Sequence, residues 1–346
     1  MRQLFRSFSW AALLPILAFA LVLRGWGSYA VLPGPSTAHV TLGAWGAWLR
    51  GGLSAAAPFS GLLSAVPAVL VGFIAAASLQ DYRLADAGTL PAYLSALLAS
   101  AAGAWLSYDG AYLAALALAA AAHQLYGAYR QQGASLPVYN AGFYLGLAGL
   151  LSAPAFWMVG WAALALFDLR KFRGGDFLGL AFGALTLPGL YLAYAYVFGD
   201  FAAARDGLLA GAAALPTAGG FRQNLPHFAV LAAATLLVLL AAGALVGRRP
   251  VPEQRAHRMY YTMLPFAWVA TVLGQGAAAA PPTTAELSVQ SVPALETAVT
   301  PAFLLLPLSL LLGVYLTEAP RKPANAFLAA ATLGVIGVIV YGALAH

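Results

Sequence analysis

Apolar residues run in long stretches along this chain, and polar residues are confined to the gaps between them. A helix that crosses a bilayer needs about 20 mostly apolar residues. Stretches of this kind fall near 8–23, 58–79, 89–107, 110–128, 138–152, 154–168, 177–198, 227–246, 259–279, 298–317 and 326–345. They predict an all-α, polytopic transmembrane helix bundle of ten or eleven spans, because lipid offers no partner to backbone groups outside a helix. The fifth and sixth stretches are short and meet at Ser152-Ala153-Pro154. Two readings fit that junction, a tight hairpin or one long span kinked at Pro154, since proline removes a backbone donor and blocks the helix before it.

The charges in the gaps separate these readings. With eleven spans and the N-terminus inside, the inner gaps hold Arg2, Arg6, Arg83, Arg130, Arg170, Lys171, Arg173, Arg248, Arg249, Arg255, Arg258, Arg321 and Lys322, which is 13 of the 17 Lys and Arg. Arg24, Arg50, Arg205 and Arg222 are left outside. Joining 138–168 into one span moves every later basic cluster to the other side and abolishes the positive-inside bias. The hairpin is therefore the expectation, with the C-terminus outside. Arg2 and Arg6 also precede the first stretch, and Ala18-Phe19-Ala20 has the small residues of a cleavage site. The chain is read as keeping this segment as an uncleaved first span or signal anchor.

Composition narrows the class further. The 346 residues are 62% hydrophobic and 8% charged, against about 25% charged in a soluble domain, and the mean hydropathy is +0.81. Residues 1–346 thus read as a single integral membrane domain. The chain has no cysteine, which excludes disulfides, thiolate nucleophiles and Cys-ligated metals. The pI near 9.6 does not indicate a nucleic-acid partner, because the basic residues sit beside apolar runs as topology determinants. The partner this pattern implies is the lipid bilayer, and the expected location is the bacterial inner membrane.

Three outer segments stand out. Residues 24–57 carry Trp26, Tyr29, Trp45 and Trp48 and read as an interfacial loop with a short amphipathic helix near 39–50. Residues 199–226 and 280–297 form smaller outer loops. Gly142, Gly146 and Gly149 share one helical face, which fits close helix packing.

No acidic or basic residue falls in the middle of a span, which argues against a proton pump, a voltage sensor or an ion path. His123, beside Gln124 and Tyr126, lies toward an inner end and reads as a hydrogen-bonded or snorkelling residue. No P-loop, dinucleotide fingerprint, HExxH or GxSxG occurs. The external candidate is Asp109, in a short turn after Ser107-Tyr108. A carboxylate there suits a general base for an acceptor hydroxyl, or a ligand for a divalent cation. It equally suits a cap for the helix that follows. Arg50, Arg205 and Arg222 lie on the same expected face, where a guanidinium fork can grip a lipid phosphate or simply meet headgroups.

The segment Val138-Tyr139-Asn140-Ala141-Gly142-Phe143-Tyr144-Leu145-Gly146-Leu147-Ala148, the Pro154 turn and Asp168-Leu169-Arg170 resemble a polytopic inner-membrane family of Bacteroidota. So do the basic loop from Arg248 to Arg258 before Tyr260-Tyr261, and the segment from Pro301 through Pro307-Leu308-Ser309-Leu310 to Arg321-Lys322-Pro323. That family brings no activity with it. A broader resemblance runs to the membrane-embedded glycosyltransferases of GT-C type. It rests on the Gly142–Ala148 stretch, on an acid at the second outer loop (Asp109) and on the aromatic first outer loop. It implies a polyprenyl-phosphate-linked sugar as substrate, Asp109 as the catalytic carboxylate that acts as base on the acceptor hydroxyl, and arginines on the lipid phosphate. Residues 24–57 contain no Asp or Glu, so the acid of that family's first outer loop is missing. A degenerate relative, or a site in which Asp109 suffices, matches that departure.

Three functions stay open on these residues. One is a GT-C-like or degenerate glycosyl transfer protein of envelope biogenesis. Another is a non-catalytic subunit bound to a membrane protein partner in an envelope assembly or secretion complex. The third is a carrier for a lipidic or uncharged solute, with Pro154, Pro188 and Pro265 supplying broken helices.

Overall fold

The structure, a computed structural model, describes residues 10–30, 45, 60–82, 88–101, 110–130, 135–169, 174–213, 225–246, 251–274 and 302–344. Among the described residues there are twelve α-helices and no strand. In chain order they are α1 Trp10–Ala30, α2 Ser60–Asp81, α3 Leu90–Ala101, α4 Gly110–Arg130, α5 Ser135–Leu151, α6 Met158–Leu169, α7 Gly174–Phe198, α8 Phe201–Ala213, α9 Leu225–Val246, α10 Val251–Gly274, α11 Ala302–Glu318 and α12 Arg321–Leu344. By length and composition, Gly110–Tyr129 and Gly174–Phe198 are long and apolar enough to cross a membrane. Seven further apolar helical segments are shorter.

Three helix boundaries differ from expectation. α1 continues past Leu23 to Ala30. The segment 199–226 contains α8, which starts because Asp200 accepts the free N–H groups of Ala202 and Ala203 at 3.0 and 3.1 Å and an Ala-rich turn follows. α10 begins at Val251, eight residues before the expected span, so Arg255, His257 and Arg258 are helical. The expected helix near 39–50 lies outside the described residues except for Trp45, and residues 280–297 lie outside them entirely.

Pro154 breaks the chain between α5 and α6. Ser152 adopts an extended backbone, Ala153–Trp157 forms one 3-10 turn, and the Phe156 ring folds back over Gly149. α5 and α6 barely touch each other; α5 packs along α7, and α6 along α10.

The contacts fix helix directions. Val138 lies beside Gly179, Gly142 against Leu180 and Ala184, and Gly146 against Ala184 and Pro188. These pairs advance together, so α5 and α7 run parallel. The chain between α5 and α7, α6 included, therefore returns along the bundle, which a single continuous element through 138–168 would not do. α6 and α10 are antiparallel, since Gly160 meets Phe266 while Asp168 meets Arg258. α2 and α3 are antiparallel, with Gly72 on Pro91 and Ser95 bonded to the Ala68 carbonyl. Gly313 of α11 meets Pro91 as well.

One end of the bundle thus collects the C-termini of α2, α4, α6 and α11 and the N-termini of α3, α5, α7, α10 and α12. Among the described residues the helix ends there carry Arg130, Arg255, Arg258, Arg321 and Lys322 with Asp81, Asp168, Asp176, Glu253 and Glu318. This end is termed the basic end, after the gaps that the sequence reads as inner, and α8 at the opposite end carries Arg205 with Asp200 and Asp206. Between the ends lies one continuous apolar core, in which Trp161 and Tyr112 are wholly buried.

Candidate functional site

The polar side chains that the fold brings together gather at the basic end. Ser78 stands one turn before the end of α2, His123 two turns before the end of α4, and Tyr260 in the first half of α10. The Ser78 hydroxyl donates to its own helix at the Ile74 carbonyl, 2.8 Å away. A hydroxyl has one proton and two lone pairs. With that proton committed, the Ser78 oxygen accepts from His123 Nδ1, 3.0 Å away, and Tyr260 of α10 stands close to the same side chain. Ser78 thereby links α2 and α4 beside α10, and the bond assigns His123 the Nδ1–H tautomer, with the lone pair on Nε2.

Aromatic rings close this node. Tyr82 donates its hydroxyl to the His123 carbonyl at 2.9 Å, and its ring lies 5.3 Å from the imidazole and 4.1 Å from the Tyr126 ring. Tyr129 meets Tyr126 edge-on at 5.9 Å. Gly127 leaves room for the Tyr82 hydroxyl, which a β-carbon there would approach to 3.1 Å.

Ser78, His123 and nearby Asp81 have the residue types of a nucleophilic triad, and the geometry assigns them another task. Catalysis of that type needs the serine proton pointed at the imidazole nitrogen that takes it. Here the serine proton is held by a backbone carbonyl, the imidazole is the donor, and Ser78 is buried. The arrangement is a clamp between α2 and α4.

A second set of contacts holds α10 to α6. Trp161 Nε1 donates to the Met259 carbonyl at 3.0 Å, and Arg258 bonds Asp168 at 3.2 Å. His257, next to Arg258 in sequence, is fully buried.

The residues singled out from the sequence lie elsewhere. Asp109, Arg50 and Arg222 fall outside the described residues. Arg205 sits on α8, exposed, with Nε and Nη2 at 2.9 and 2.8 Å from Oδ1 of the adjacent Asp206. Helix directions place α8 at the same end as the first residue of α4, and α8 touches the 153–157 turn. Among the described residues no group of three or more His, Asp or Glu gathers as metal ligands would.

Sequence reasoning singled out His123 and missed Ser78 and Tyr260. Tyr260 did carry a signal, in the run Gln254 to Thr262, where polar residues occupy nearly every position of a helix otherwise set among apolar ones. Comparison with protein-family models, curated proteins and solved structures finds no match to this chain.

Proposed function

We propose that this chain is a multi-pass protein of the bacterial inner membrane, with about eleven spans, its basic end in the cytoplasm and the opposite end outside. We further propose that it serves glycosyl transfer in envelope biogenesis, with a polyprenyl-phosphate-linked sugar as donor, as a GT-C-like or degenerate protein. The observation that carries this reading is the positive-inside bias of the sequence, with 13 of the 17 Lys and Arg in the gaps read as inner. The parallel course of α5 and α7 supports it, since the chain has to return between them. The exposed apolar side chains of α7, among them Phe182, Leu185 and Phe198, are what a lipid-facing span presents.

The chemistry asked of the outer end is modest. Asp109 would take the proton of an acceptor hydroxyl while that oxygen bonds the anomeric carbon. The polyprenyl phosphate would leave with the bonding electron pair, steadied by Arg50, Arg205 or Arg222. No enzyme nucleophile is required. The test is a structure of the purified protein with polyprenyl phosphate added. Phosphate on one of these arginines with the head near Asp109 is the expected result. An outer end closed by apolar side chains, with no lipid there, sinks the transferase reading.

The filled apolar core favours a second reading, a non-catalytic subunit that binds another membrane protein through the exposed face of α7. Retention of a stoichiometric partner through mild-detergent purification, lost on substituting Phe182 and Leu185, would support it.

A further inference from the structure

The basic end also carries a feature that the outer-face chemistry does not use. Asp168, nearly three-quarters buried, holds one guanidinium nitrogen of Arg258 and leaves 59% of that side chain exposed. Arginine has five donors in a planar fork, so this one is oriented and still has donors to give. Arg255, one turn earlier on α10, is exposed too. Phe167, adjacent to Asp168, is 64% exposed, and Leu164 on the same face of α6 and Leu178 and Phe182 on α7 are exposed too. α6 touches both α7 and α10. The Asp168 bond thus sets an exposed guanidinium next to a helix that carries uncovered apolar side chains.

We propose that these arginines and apolar side chains bind an anionic phospholipid of the cytoplasmic leaflet. Its phosphate lies on Arg255 and Arg258 and its acyl chains lie along α6 and α7. The inference rests on the membrane reading above and is independent of transferase activity. Charge complementarity names the occupant: a phosphate suits the cations, acyl chains suit the exposed apolar side chains, and an anionic amphiphile supplies both. Asp168 acts as a positioning residue that aims Arg258.

The full chain would be reconstituted in nanodiscs of phosphatidylcholine, with or without phosphatidylglycerol or cardiolipin, and retained lipid counted by native mass spectrometry. Preferential retention of the anionic lipid is expected, weakened about fivefold for each arginine removed. Arg255→Gln is an exposed change that spares the fold. Asp168→Asn combined with Arg258→Gln removes the pair without stranding a carboxylate. Equal retention of zwitterionic and anionic lipid overturns the proposal. Displacement by inorganic phosphate at matched concentration overturns it in favour of a soluble anion, and a dimer that buries Phe167 and Phe182 overturns it in favour of a second copy. Extraction of the protein from cell membranes by alkaline carbonate would instead overturn the membrane reading itself.

Discussion

The α-carbon of Gly142 lies directly against the carbonyl oxygen of Leu180, so close that a β-carbon at 142 would overlap it. Gly183 repeats the relationship in reverse against the Tyr139 carbonyl, and Gly146 approaches the Ala184 carbonyl. The last contact has its own cause. Pro188 has no N–H, so the Ala184 oxygen loses its partner within the helix and is open to a Cα–H donor. Backbone meets backbone along the whole parallel pair, which only glycine permits. Gly142→Leu and Gly183→Leu should each cost ~3 kcal/mol or more, above ordinary overpacking because a carbonyl cannot rotate aside. Gly189 faces open space, and Gly189→Ala should be neutral or raise stability by up to ~1 kcal/mol. Thermal unfolding in detergent checks all three; equal effects would refute the close-packed pair.

The Ser78 clamp makes a separate prediction. Ser78→Ala removes the acceptor of His123 Nδ1–H and strands that donor, at ~2 kcal/mol. Ser309 is a matched control, equally buried but bonded only within its own helix, at 3.3 Å to the Leu306 carbonyl. Ser309→Ala should cost less than ~0.5 kcal/mol. A Ser78→Ala protein as stable as Ser309→Ala would show that Ser78 does not accept that bond.

Helix directions predict accessibility. The chain has no cysteine, so a single introduced thiol is an unambiguous probe. A membrane-impermeant maleimide added to intact cells should label Arg205→Cys, on α8. Lys322→Cys, at the start of α12, should label only after permeabilisation. Labelling of both from one side would contradict the packing directions themselves.

Asp200 should control α8 locally. Asp200→Ala leaves the N–H groups of Ala202 and Ala203 without their acceptor. Amide exchange across Phe201–Ala213 should quicken about fivefold, with α7 unchanged. Arg205→Gln, which removes only an exposed pair between neighbours, should leave the exchange as it was.

Much of the fold was legible where one physical rule governed. The apolar stretch 177–198 falls inside α7, and Ser152-Ala153-Pro154 marks the break, because hydropathy and proline act locally. The return of the chain between α5 and α7 was legible from charge alone, since Arg170, Lys171 and Arg173 needed to share a side with Arg130. α8 was hidden by Asp200, Arg205 and Asp206, charges that read as a loop when a helix lies outside the apolar core. The first half of α10 was hidden for the same reason, although there His257 and Tyr260 are buried while Arg255 and Arg258 stay exposed. The Ser78 clamp was not legible: Ser78 and His123 come from two helices, 45 residues apart, and no local pattern announces such a meeting. Of the expected outer site, Arg205 alone is described.

The parallel pairing of α5 and α7 also sets a schedule for synthesis. Gly183 follows Gly142 by 41 residues. At bacterial or eukaryotic translation speeds of about 5–20 residues per second, the glycine face of α5 waits about 2–8 s for its permanent neighbour. During that interval α6 must be made and turned back first. A ribosome pause engineered between Leu169 and Gly174 would lengthen the wait and leave the naked backbone face of α5 to chaperones, insertases and proteases, so the yield of this protein depends on timing as well as on contacts.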